Sequence, residues 1–145
     1  MQSLPHHYKV DAVAKPEGDV SLSADKLESI SSAPPAEFGG PGNRWSPENL
    51  LVAALADCFI LSFRSIATAS KLSWTSLECK VEGTLERIEG VTKFTQFVIN
   101  AELKVPPETT REKALHLLEK AEGICLISNS LSAAKHLNAV VNVIG

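Results

Sequence analysis

Three observations predict an α+β fold with antiparallel sheets. A helix apolar on every face begins near Leu50, Trp74 to Val105 switches to period two with a turn at Glu89-Gly90, and an amphipathic helical stripe follows Pro106-Pro107. The 145 residues suit one domain, or two closely packed halves, burying roughly 70% of the unfolded chain's surface.

The first third reads as short strands. Tyr8 to Val13 alternates loosely, Glu17-Gly18 makes a turn, Val20 to Leu22 restores the alternation, and a weaker third strand falls near Leu27 to Ser31. Residues 33–43 hold three prolines and three glycines, a density that forbids regular structure and predicts a flexible loop. Ser46 then suits an N-cap, Pro47 the first helical position, and Glu48 the positive end of the helix dipole. From Leu50 onward, Leu51, Leu55, Phe59 and Ile66 face one side, and Val52, Ala56, Ile60, Phe63 and Ala67 another. The apolar run from Leu50 to Phe63 is 14 residues long, shorter than a membrane span, and is expected to be buried in a protein core. One small subunit has too little surface to cover such a helix, which predicts a homodimer built around it.

Leu77, Cys79, Val81 and Leu85 share one face of the next segment; after a Glu89-Gly90 turn, Phe97, Ile99, Ala101, Leu103 and Val105 continue the pattern. This predicts a long antiparallel hairpin with one wet face. Thr109 to Glu112 fits a capping box for a helix with the stripe Ala114, Leu117, Leu118 and Ala121, closed by Gly123. A short helix from Ser130 to His136 and a last strand from Ala139 to Ile144 complete the expected order.

A net charge of −3 argues against a nucleic-acid binder, which needs a basic face. The amino terminus has no basic segment leading into an apolar one, so neither a secretory leader nor a membrane anchor is expected, and the expected compartment is the cytoplasm. No metal is expected: His6, His7, His116 and His136 form no ligand spacing with any cysteine, and no CxxC or HExxH occurs.

The three cysteines are an odd number, which excludes a fully paired disulfide framework. Cys58, inside the apolar helix, reads as a small buried hydrophobe unless something ionises it. Cys79 reads as the inward face of a strand. Cys125 falls between two predicted helices, where a thiol is both packed and able to move.

Two segments carry a family resemblance. Trp45-Ser46-Pro47-Glu48-Asn49-Leu50-Leu51-Val52-Ala53-Ala54, leading into Asp57-Cys58-Phe59, resembles the central helix of the OsmC/Ohr proteins, the osmotically inducible and organic hydroperoxide resistance proteins. Cys125-Leu126-Ile127-Ser128-Asn129-Ser130-Leu131 resembles the family's second cysteine motif, 67 residues further on. The resemblance implies a single OsmC-like domain over residues 1–145, with antiparallel sheets packed around a long buried central helix in an intertwined homodimer. It also implies a thiol peroxidase without a cofactor, which reduces organic hydroperoxides to alcohols. Cys58 maps to the attacking cysteine and Cys125 to the resolving one, and an external dithiol such as a lipoyl-bearing protein restores the pair.

The family's hydroperoxide-resistance branch pairs its thiolate with an arginine of the amino-terminal strand region and with a helix glutamate. Glu48 matches that glutamate, but the comparable turn here, Ala14 to Asp19, has no arginine. Lys15 or Arg44 is left to substitute, with Arg44 the better placed. Glu48 and Cys58 are ten residues apart, about 15 Å along a helix axis. Within that helix Glu48 cannot touch Cys58, so it must act on a partner's cysteine or through an arginine. Phe38, Phe59, Phe63 and Leu126 are expected either to line an apolar cleft or to be plain core. Two other readings of the same fold are a non-catalytic dimer binding an apolar ligand, favoured by the missing arginine, and a redox sensor.

Overall fold

A computed structural model describes all 145 residues, which fall into two units, Met1–Leu50 and Leu51–Gly145. In the first, β1 (Asp11–Val13), β2 (Val20–Ser23) and β3 (Ile30–Ser32) form an antiparallel sheet in sequence order. The Pro/Gly-rich loop, expected to lack regular structure, contains a 3₁₀ turn at Ala36–Phe38. It then doubles back so closely that a Cβ on Gly40 would fall 1.6 Å from the Pro34 carbonyl oxygen, which only glycine tolerates.

Helix α1 (Pro47–Ala69) starts where Ser46 and Pro47 predict. The Ser46 hydroxyl accepts from the Asn49 amide at 3.1 Å and donates to Asn49 Oδ1 at 2.9 Å, and that oxygen also accepts from the Ser46 amide. This is a reciprocal cap in which Asn49 does the work usually given to Glu or Gln.

In the second unit, Leu55, Phe59, Phe63, Ile66 and Ala67 form the buried stripe of α1, at helical spacing. A single chain leaves the other faces of α1 uncovered, as the apolar count over so small a subunit predicts. Leu51, Val52, Ala56 and Ile60 are only partly buried, and Leu61 is 49% exposed. The 23-residue helix also passes the length and composition test for a membrane span, unlike the 14-residue run taken alone. The core helix of a soluble protein passes the same test.

The hairpin consists of β4 (Ser76–Ile88) and β5 (Val91–Val105), joined at Glu89-Gly90 with both residues at positive φ, the backbone of a tight hairpin turn. Leu77, Cys79 and Val81 face inward as expected. Leu85 is exposed, beyond an irregularity where Thr84 pairs with Gln96 and Leu85 with Phe94, leaving Thr95 as the extra residue. The bulge brings Phe94 onto the face of Phe97, their rings stacked at 5.2 Å, and Gly83 makes room: a Cβ there would lie 2.9 Å from Phe97.

Helix α2 (Arg111–Ile124) buries Ala114, Leu117, Leu118 and Ala121 against the same core. Its cap is displaced by one residue from the expected capping box: Thr110 accepts from the Lys113 amide, while Thr109 donates to the Ser73 carbonyl at 2.7 Å. Gly123 lies inside the helix and does not end it.

The largest departure follows. The short helix is α3 (Leu126–Asn129), not Ser130 to His136, and the last strand, β6 (Ala134–Val143), begins five residues before the expected Ala139. It pairs with β5 in parallel, from Gln96↔Ala134 to Val105↔Val143, so the expectation of purely antiparallel sheets is also corrected. The physical reason is the connection: α2 and α3 return the chain to the start of β5, the crossover that a parallel pair requires. Inward-facing Lys135, Leu137, Ala139 and Val141 keep an unbroken period of two, which outweighs the helix propensity of Ala133 and Ala134.

Candidate active site

Cys58 sits near the middle of α1, half-buried, one turn before Ser62. Cys125 is a one-residue junction: it is both the C-cap of α2 and the N-cap of α3, and it is fully buried. The fold brings these two thiols close enough for each to act on the other's ionisation, and both are reduced. Cys58 Sγ also lies 3.9 Å from Ser62 Oγ, and the amides of Ile127 and Leu126 point toward it.

The electrostatics of the pair are asymmetric. Burial acts to raise the Cys58 pKa, but the Ile127 amide, the Cys125 thiol, the Ser62 hydroxyl and the Leu126 amide outweigh it and hold the group below its usual range. Burial pushes Cys125 up to about 11, and bonding to Cys58 and the Cys58 charge add to the rise, against partial relief from the Ser128 and Ile127 amides. Cys79 is likewise pushed up to about 11, first by burial and then by the charge of Cys125. Of the two, Cys58 is the thiol that ionises first, and Cys125 stays protonated beside it.

A pH dependence of stability follows. Thiols held protonated in the folded chain stabilise it fully below the ordinary thiol pKa of about 8.5 and lose that contribution as pH rises through about 11. Cys58, shifted the other way, contributes nothing to this alkaline loss. Urea unfolding measured from pH 8 to 11 should show falling stability, with a shallower fall in Cys79→Ala; identical slopes would contradict the assignment.

The other expected site residues lie in the first unit. Arg44 pairs with Asp19 at 2.8 Å and donates to the Asn43 carbonyl, so its charge is already engaged at the surface. Glu48 is half-buried, and its Oε1 is sealed from solvent with no hydrogen-bond partner. No ion pair joins Arg44 to Glu48. Phe59 and Phe63 are fully buried core and line no open cleft, whereas Phe38 and Leu126 are exposed. No cluster of His, Cys, Asp or Glu is placed to hold a metal.

Sequence reasoning missed Ser62 and the two amides. Ser62 was within reach, since a residue four positions from Cys58 on a helix shares its face. The amides have no side-chain signature to find.

The sequence model of the OsmC family, described as OsmC-like protein, matches residues 40–139, which include Cys58 and Cys125. The chain belongs to the OsmC-like protein family. An uncharacterized protein of Bacillus subtilis, YmaD, is 26% identical to this OsmC-like chain over 124 residues, covering 83% of this chain and 81% of its own. The organic hydroperoxide resistance protein of Xanthomonas axonopodis pv. citri is 28% identical over 113 residues, or 76% of each chain. An OsmC-like protein of unknown function from Vibrio cholerae shares the fold, with a TM-score of 0.85 at 18% identity over 94% of this chain and all of that one.

Proposed function

We propose that this OsmC-like protein is a thiol peroxidase that reduces organic hydroperoxides to alcohols. The observation that carries the reading is the pairing of Cys58, held below the usual thiol pKa range by protein donors, with a protonated Cys125 beside it. Membership of a family that includes a hydroperoxide resistance protein supports the substrate class.

The steps balance on these two residues. The Cys58 thiolate attacks the terminal oxygen of ROOH, the O–O bond breaks, and RO⁻ takes a proton and leaves as the alcohol. Sulfur has given up two electrons and becomes a sulfenic acid. Cys125 then attacks that sulfur, the S–S bond forms, and the oxygen departs as water. An external dithiol, such as a lipoyl-bearing protein, reduces the disulfide by thiol exchange.

The working form in this reading is a cytoplasmic homodimer. The partly buried apolar residues of α1, Leu51, Val52, Ala56 and Ile60, support a subunit contact there. The sealed, unpartnered Glu48 Oε1 supports a role for that carboxylate in gripping a cation, with Arg44 supplying it once released from Asp19.

The purified protein should consume cumene or tert-butyl hydroperoxide over many turnovers with dithiothreitol as reductant. A single slow oxidation without recycling would support the sensor reading instead, and no thiol oxidation at all would refute the proposal.

A further inference from the structure

The thiolate-facing amides belong to a short turn, and that turn is tied down from behind. Glu122, in the last turn of α2, is half-buried, and its Oε1 accepts from Ser128 Oγ at 2.5 Å across the helix junction. Ser128 is itself buried. Three more bonds close the same loop. Asn129 Nδ2 donates to the Gly123 carbonyl at 3.2 Å, the Cys125 amide to the Glu122 carbonyl at 3.3 Å, and the Asn129 amide to the Cys125 carbonyl at 2.9 Å. Of these four, only the Glu122–Ser128 bond joins two side chains. Ser128 also presents its amide to Cys125, so one residue serves both thiols' surroundings.

We propose that Glu122 and Ser128 are positioning residues: their hydrogen bond holds residues 125–129 so that the Leu126 and Ile127 amides aim at Cys58. The inference rests on the reading of Cys58 as the attacking thiol. Glu122 forms no bond to Cys58 and acts through the turn. Releasing the turn lets the amides swing away, and the Cys58 thiolate then loses donors that offset its burial. The titratable groups around Cys58 are Cys125 at the junction, with Cys79 of β4 behind it, while Asp57 on α1 is exposed.

The test is the pH dependence of Cys58 alkylation by iodoacetamide in the reduced full-length protein, read for each cysteine by peptide mass spectrometry. Glu122→Ala and Ser128→Ala should each raise the Cys58 midpoint by about one unit, a roughly tenfold smaller thiolate fraction near neutral pH. Cys79 should keep its midpoint. Ser128→Thr, which keeps a hydroxyl, and Glu122→Gln, which keeps an acceptor oxygen, should leave the Cys58 midpoint at or below that of the unmodified protein. An unmoved Cys58 midpoint in Glu122→Ala, or equal shifts at Cys58 and Cys79, overturns the inference. Should Ser128→Ala fail to fold, the more exposed Glu122 variants decide it. Alkylation needs no peroxide, so the two ideas fail separately. A shifted midpoint without turnover by the unmodified protein sinks only the peroxidase, and turnover with an unmoved midpoint sinks only the positioning role.

Discussion

Cys58→Ser is expected to abolish peroxide turnover, lowering the rate by at least about a thousandfold, because it removes the nucleophile itself. The hydroxyl of serine does not ionise near neutral pH, and the donors around position 58 suit a thiolate. Cys125→Ser should behave differently. The first oxidation of Cys58 should survive, while recycling through the disulfide is lost and the sulfenic acid accumulates. Cys79→Ser should leave turnover unchanged, since Cys79 reaches the pair only through the charge of Cys125. Equal turnover in the unmodified protein and Cys58→Ser would end the proposed chemistry.

The largest expected loss of stability is at Phe63. Its side chain is fully buried and meets Trp74 edge-on with ring centroids 5.4 Å apart, in a cluster shared by α1, β5 and α2. Phe63→Ala should cost about 3–5 kcal/mol, from lost transfer free energy plus the cavity left behind. Phe38, 60% exposed, is the natural control: Phe38→Ala should stay within about 0.5 kcal/mol of the unmodified protein. Urea denaturation of both variants checks the pair, and a loss under about 1 kcal/mol for Phe63→Ala would contradict the packing described.

The parts of this fold that repeat were legible in the residues. Alternation placed both hairpin strands and the inward face of Cys79, and the Ser46-Pro47 start located α1. What escaped depended on long-range partners. Strand β6 pairs in parallel only because α2 and α3 carry the chain back, and nothing local in Ala134 to Val143 specifies that neighbour. The bulge that turns Phe94 inward depends on how Thr84 and Gln96 register across the hairpin.

The site divides in the same way. Cys58 and Cys125 were visible through family resemblance, and the helix before Cys125 through its apolar stripe, whereas the short helix after it was expected at Ser130 to His136 and starts at Leu126. The groups that depress the Cys58 pKa were not visible: backbone amides occur at every residue except proline, and only folding selects the two that matter. Arg44, chosen as the nearest cation to the motif, is held by Asp19, a partner 25 residues earlier that no local pattern indicated.

The most direct test of the central claim is to add one equivalent of tert-butyl hydroperoxide to the fully reduced protein, block the remaining thiols, and map the peptides by mass spectrometry. The account predicts a single new crosslink, Cys58 to Cys125, with Cys79 fully blocked as a free thiol. A fully blocked Cys58, or a crosslink that excludes it, would contradict the account.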